Sequence, residues 1–241
     1  MLQPDSMLPE VPLRAAPWNL RGSAWIVALK LPPGSPARDA FLPPGRAGQG
    51  RGLASYLMYV DYVESGCGPY RELLFIPGAF PFGDGRRHLT ISRILVSTWD
   101  SVVNGRNNWG IPKDRADFEV DQGIDGGRED RVRVVSEGRE LCELHFATLR
   151  FAPALPVHGG LLPARLRTLA QGFRGRTYYS APDARGRARL GRLLSWRFDA
   201  ERFPDLAAAA VLATFKIESF RMTFPVADVF GDATLRANSR G

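Results

Sequence analysis

Lysine is scarce in this chain. Lys30, Lys113 and Lys216 stand against 29 arginines. Arginine keeps its proton in a protein and cannot act as an amine nucleophile, whereas lysine can. Amine chemistry is therefore confined to three positions. Cysteine is scarcer still, with Cys67 and Cys142 only. Two cysteines make no disulfide scaffold. Neither they nor His88, His145 and His158 fall at metal-ligand spacing, so no metal site is expected. The same cysteine usage fits a reducing cytoplasm. No apolar run reaches the roughly 18 residues of a membrane span. The opening stretch MLQPDSMLPEVPLR lacks the basic start and apolar block of a secretory leader. A cytoplasmic protein without a membrane partner is the expectation.

Long helical patterns are also few. The chain is punctuated by 25 glycines and 19 prolines, and most periodic segments between them are short and rich in β-branched and aromatic residues, as strands are. Strands are expected over Ala24–Leu31, Leu53–Tyr62, Arg71–Ile76, Leu89–Trp99, Phe118–Val120, Arg131–Ser136, Leu141–Phe151, Arg189–Phe198 and Ile217–Phe224. In the last, Phe220, Met222 and Phe224 alternate onto one face. Helices are expected at Asp100–Arg106, with Asp100 as N-cap, at Pro163–Phe173 and at the alanine-rich Asp205–Thr214. Asn107–Ile111 reads as a turn, and Pro112 stops the helix before it. Pro32–Gly52 and Gln122–Arg128 read as long loops, and the GDGRRH run at 83–88 as a turn between strands. With no internal repeat or domain boundary, residues 1–241 read as a single domain. Its class is α+β but mainly β, strongly bent or barrel-like, with a few helices packed outside.

The 44% hydrophobic and 24% charged fractions are ordinary for a globular protein. The net charge of +7 is concentrated. Residues 160–200 carry nine arginines against Asp183 and Asp199. Such a segment can attract anions, but no nucleic-acid-binding signature accompanies it. A solvated arginine face is the simpler reading, and no nucleic-acid partner is expected.

The run GRNNWGIPKD, Gly105 to Asp114, holds the most informative lysine. Lys113 follows Gly-Ile-Pro directly. A lysine amine can condense with a carbonyl to an iminium, the Schiff base, which is an electron sink for the carbanion left when an adjacent bond breaks. This needs an amine that is neutral part of the time. An ordinary lysine titrates near ~10.4, and reaching ~7 means disfavouring the cation by roughly 4–5 kcal/mol. Burial or a neighbouring cation can supply that. Trp109, Ile111, Pro112 and Phe118 flank Lys113 closely enough for burial. In an extended segment Lys113 and Asp114 point to opposite faces, which lets Asp114 reach solvent while Lys113 faces inward.

Gly105-Arg106, a short insert and Pro112-Lys113 resemble the active-site segment of the acetoacetate decarboxylase family, which reads Gly-Arg-Glu, a spacer and Pro-Lys-Lys. That family is the standard example of a lysine activated by a cationic neighbour. Gly68-Pro69-Tyr70-Arg71-Glu72 is similar to the family's upstream segment, where an aromatic precedes a glutamate that reaches the lysine. Arg21, ahead of the apolar strand Trp25–Leu29, resembles the family's arginine for the substrate carboxylate. The similarity runs from about Asn19 to Arg150. It implies a mainly β fold of strongly bent antiparallel sheets forming a barrel-like body. It implies Lys113 as the Schiff-base residue, Glu72 as its positioning or proton-shuttling partner, and Arg21 as a substrate-binding residue. It further implies a keto acid or related carbonyl substrate, lyase chemistry by decarboxylation, aldol reaction or dehydration without a cofactor, and a homo-oligomer, with Ile217–Phe224 as an apolar edge compatible with one. The sequence departs from the family where Asp114 replaces the second lysine, where Asn107 replaces the glutamate after Gly-Arg, and around Tyr56–Tyr59, which carry no acid. These departures leave a second reading open, a non-catalytic protein that binds small carboxylates on the same scaffold.

Overall fold

The computed structural model describes residues 2–231 apart from positions 44, 53 and 162. The first residue of the expected strand Leu53–Tyr62 and the end of the expected domain, 232–241, therefore lie outside the described residues. The strands are β1 (Trp18–Lys30), β2 (Ser55–Glu64), β3 (Tyr70–Ile76), β4 (Gly78–Pro81), β5 (Arg87–Thr90) and β6 (Arg93–Val96). Helix α1 (Trp99–Trp109) leads to β7 (Lys113–Arg115) and β8 (Asp117–Gly123), and a single distorted turn, α2 (Ile124–Gly127), to β9 (Glu129–Ser136) and β10 (Arg139–Thr148). Next come β11 (Leu155–His158), the short α3 (Ala164–Arg167), β12 (Leu169–Phe173), β13 (Arg176–Ser180), β14 (Asp183–Phe198), β15 (Ala210–Phe224) and β16 (Asp228–Gly231).

Two sheets result. The larger runs β7-β6-β3-β2-β1-β15-β14-β10-β9-β8, with β11 on β14, and the smaller runs β16-β13-β12-β5-β4. The sheets are strongly bent and neither closes into a barrel. Most pairs are antiparallel, but β6–β7 and β5–β12 are parallel. Register shifts in β1 at Gly22/Ala24 and Ala28/Leu29 are the local irregularities that add twist to such a sheet. No helix among the described residues is long and apolar enough to cross a membrane.

The central strands are buried on both faces. On β3, Leu73 and Phe75 enter one apolar cluster with Trp25, Val27, Leu57 and Phe146. Tyr70, Leu74 and Ile76 enter a second with Leu20, Val60, Ile94 and Trp109. Glu72 shares the period-2 face of Tyr70, Leu74 and Ile76, so a carboxylate is carried into the second cluster.

Several sequence expectations are corrected. Leu89–Trp99 is not one strand; it divides at Ile91-Ser92 into β5 and β6, which belong to different sheets. Asp205–Thr214 is not a helix. Phe203 and Leu206 are buried anchors of a turn, and the chain is extended from Ala210, where β15 pairs with β1. Four alanines are too short a run to sustain a helix against that pairing. Pro163–Phe173 keeps only one helical turn. Its remainder is β12, joined to β13 through Arg174 (φ 50°) and Gly175 (φ 68°), a two-residue hairpin turn with both φ positive. Ile217–Phe224 is no edge, since β15 lies between β1 and β14. The arginine-rich segment is largely laid out along β12 to β14. Arg174, Arg189 and Arg197 pair there with Asp5, Glu218 and Glu143.

Candidate active site

Helix α1 begins slightly earlier and ends later than the sequence pattern suggests. Thr98, not Asp100, is the N-cap, and its hydroxyl accepts from the Ser101 amide at 3.3 Å. The helix runs on through Asn107–Trp109, which had read as a turn, and closes at Gly110 in the left-handed region (φ 61°). Only glycine fits there on a second count, because a Cβ at Gly110 would lie 2.4 Å from the Tyr178 ring. Ile111-Pro112 then turns the chain into β7, whose first residue, Lys113, pairs with Ile94 of β6.

The Gly-Arg…Pro-Lys spacing has a physical explanation in this geometry. The Lys113 side chain runs across α1 at Gly105, where a Cβ would come within 2.7 Å of its Cδ. The next residue, Arg106, is fully buried and donates from Nε and Nη2 to the Lys113 carbonyl at 3.0 and 2.7 Å. Its guanidinium also reaches Asp114 Oδ1 (3.1 Å), the Gln3 carbonyl (2.8 Å) and Asp5 Oδ1 (2.8 Å). Arg106 thus joins helix, strand and N-terminal segment.

The Lys113 amine is buried at 3% residue exposure. It lies 2.8 Å from Glu72 Oε2, 3.0 Å from Ser101 Oγ and 3.4 Å from the Tyr70 hydroxyl, and 5.0 Å from the Tyr70 ring centre. Glu72 Oε1 accepts from the Tyr62 hydroxyl at 3.3 Å. Burial, and then the Glu72 carboxylate, push both Tyr62 and Tyr70 well above the usual phenol range, so both remain protonated. Burial likewise raises the Cys67 thiol, with the Lys113 charge acting against it.

Asp114 departs from expectation. It does point away from Lys113, but it is buried rather than solvated. Its carboxylate pairs with Arg93 and Arg106 and accepts from the Gln3 amide at 3.0 Å. The N-terminal segment covers this face, and two guanidinium groups balance the charge that open water would otherwise solvate.

The amine reaches the wall of a cavity of about 460 Å³. Ile26, Met58, Leu74, Trp109 and Phe224 are among its apolar walls, and Glu72, Tyr62 and Tyr70 lie beside Lys113. Arg21 is not brought to this cavity. Leu20 and Met222 line it, but the neighbouring Arg21 projects from the other face of β1, 55% exposed and paired with Glu64 at 3.2 Å. Sequence reasoning missed Ser101, and it missed Arg167, which also lines the cavity. Ser101 could have been found from its position four residues before Gly105 on α1, which puts both on the Lys113 side. Arg167 had no local signal among its arginine neighbours. Among the described residues no cluster of three or more metal-ligating side chains occurs.

This arrangement sets a buried amine, a carboxylate within proton-transfer distance and neutral phenols against an apolar chamber. Solved structures share its framework. An acetoacetate decarboxylase structure superposes with a TM-score of 0.68 at 13% identity, over 92% of both chains. Acetoacetate decarboxylase from Legionella pneumophila gives 0.67 at 12% identity, over 95% of this chain and 94% of that one. The chain has the acetoacetate decarboxylase-like fold. The enduracididine biosynthesis enzyme MppR, complexed with the condensation product of pyruvate and imidazole 4-carboxaldehyde, shares the same fold, with a TM-score of 0.64 at 18% identity over 92% of each chain. No protein-family profile and no curated protein sequence matches the chain.

Proposed function

We propose that this protein is an enzyme that condenses Lys113 with a keto acid or related carbonyl compound and works through the resulting Schiff base. The observation that carries this reading is the buried Lys113 amine at the wall of an apolar cavity, 2.8 Å from Glu72. In the proposed sequence Glu72 takes the proton the amine must lose. The free amine adds to the carbonyl carbon, and the carbinolamine loses its hydroxyl as water, with Glu72 returning the proton. The protonated iminium then accepts the electron pair of a breaking bond on the adjacent carbon. A breaking carbon–carbon bond releases carbon dioxide or an aldehyde; a breaking carbon–hydrogen bond gives its proton to a base, and the enamine so formed then expels a β-hydroxyl group as water, which places the chemistry among lyases. Dry walls strengthen the charge interactions at the amine and keep bulk water from the intermediate. MppR has been captured with pyruvate, which supports a keto acid as the ligand class here. Nucleic acid and membrane have no part in this reading, and a cytoplasmic single-domain homo-oligomer remains its setting.

Reversible Schiff-base formation exchanges the carbonyl oxygen with water. Keto acid carrying heavy oxygen should therefore lose its label in the presence of the protein, and much more slowly with Lys113→Met. Tight binding of the keto acid without accelerated exchange would instead support the carboxylate-binding reading.

A further inference from the structure

The cavity has a second charged wall. Arg167, at the end of α3, lines it from a part of the chain remote in sequence from the elements that carry Lys113 and Glu72. Its Nη1 donates to the Ala181 and Pro182 carbonyls, both at 2.6 Å, which fixes the side chain against the start of β14. Its Nε is shielded from solvent and has no hydrogen-bond partner among the described residues. No carboxylate among the described residues pairs with the guanidinium, although Arg174, Arg189 and Arg197 of the same arginine-rich segment have each found one. A shielded donor on a cation costs free energy unless an anion or acceptor meets it. Apart from Tyr56 and from Glu72, Tyr62 and Tyr70 beside Lys113, no side chain of the lining offers one.

We propose that Arg167 binds the carboxylate of the substrate. Since the remaining walls are aliphatic and aromatic, the substrate class is an amphipathic keto acid, with its carbonyl at Lys113, its carboxylate at Arg167 and an apolar body filling the chamber. The assignment rests on the Schiff-base reading for the carbonyl end only. The planar guanidinium already held by two backbone carbonyls is pre-organised, so little side-chain entropy is lost when the carboxylate docks. Arg21, on the outer face and paired with Glu64, has no path to the same anion.

The test measures direct binding by the fluorescence of Trp18 and Trp109, both in the cavity wall. The probes are an aryl-tailed α-keto acid and the methyl ketone with the same tail. Wild type and Lys113→Met should both bind the acid more tightly than the ketone, by about tenfold as for a charge-assisted hydrogen bond. Arg167→Gln should abolish that preference and leave ketone binding intact, Arg167→Lys should keep part of it, and Arg21→Gln should change nothing. Three results would overturn the assignment: a preference that survives Arg167→Gln, its loss on Arg21→Gln, or equal loss of both ligands in both Arg167 variants, which would make Arg167 only a prop for the Ala181-Pro182 connection. Because Lys113→Met retains the cavity but not the amine, failure of the carboxylate assignment is read separately from failure of the Schiff-base chemistry.

Discussion

Gly105 lies beneath the Lys113 side chain, and its lack of a Cβ has a mechanical consequence. In an ordinary exposed helix interior, Gly→Ala gains about 0.5–1 kcal/mol. Here the added methyl would meet Lys113 Cδ at 2.7 Å. Gly105→Ala should therefore destabilise the protein despite its better helix propensity, because displacing the buried amine from Glu72 costs more than the roughly 0.5–1 kcal/mol the helix gains. It should also lose most oxygen exchange, because the amine is pushed off Glu72. Equal exchange in the variant would show that the lysine does not need this path. At the same scale, Glu72→Gln should retain ligand binding and lower the exchange rate by roughly 10²–10⁴, the usual contribution of a general acid–base group. The residue pattern was legible where chemistry and packing coincide. Gly-Arg and Pro-Lys announce themselves because one glycine, one buried arginine and one lysine have to touch. Arg167 gave no such notice, since an arginine among nine is ordinary in sequence, and Ser101 was marked only by its place four residues before Gly105.

At the scale of elements, the connection α1–β7 depends on Arg106. Removing it strands Asp114 beside Arg93 alone and leaves the Lys113 carbonyl without its two donors. Arg106→Ala should destabilise the protein by about 3–5 kcal/mol, the range for breaking a buried ion pair. Arg106→Lys should recover little of this, because a lysine cannot present the fork that reaches carbonyl and carboxylate together. Chemical denaturation of both variants checks the claim. A second tie joins β1, β9 and β15 through Asp130. Burial alone would raise its carboxyl, but Lys216 and the Trp25 indole, which donates at 2.7 Å, hold it below the ordinary range. A carboxyl depressed by folding contributes stability above its unfolded pKa of about 3.9, lost as pH falls through the lower folded value. Lys216→Met should flatten that acid limb, which a pH series of melting temperatures would show. Strand positions were readable from period-2 runs: β3 is where the pattern puts it, and Ile217–Phe224 forms the second half of β15. The alanine-rich 205–214 stretch misled because intrinsic propensity there is overridden by pairing with β1, a contact nearly two hundred residues away in sequence.

For the whole molecule, the sheet order places the chemistry. The middle stretches of β1, β2, β3 and β6 carry apolar side chains on both faces, so one face packs against β8 to β10 and the other forms the chamber roofed by α1, the smaller sheet and α3. No local pattern states which sheet receives β5 and which β6, or that β15 lies inside rather than at an edge, because both depend on long-range register. The mainly β, strongly bent class was legible from Gly/Pro punctuation and strand composition, whereas the open edges were not. The tyrosines of the chamber give a global readout. Tyr62 and Tyr70 are held protonated above the range of free phenols. Their contribution to stability is complete below the unfolded pKa of about 10 and is lost as pH rises beyond it. Tyr62→Phe should therefore lessen the alkaline loss of stability above about pH 10 while costing some stability at neutral pH, measurable by denaturant melts at both pH values.

Lys113 is proposed as the carbonyl-condensing amine, and the scarcity of lysine makes this directly testable. Borohydride added to the protein with an aryl-tailed α-keto acid should reduce a Schiff base to a stable secondary amine, and peptide mass spectrometry should find that mass on the Lys113 peptide. Lys30, which is exposed, and Lys216, which is paired with Asp130, serve as internal controls and should stay unmodified. An adduct confined to Lys113, and formed far more slowly in Glu72→Gln, is the predicted result. Adducts spread evenly over the three lysines, or none on Lys113 with any keto acid, would contradict the account.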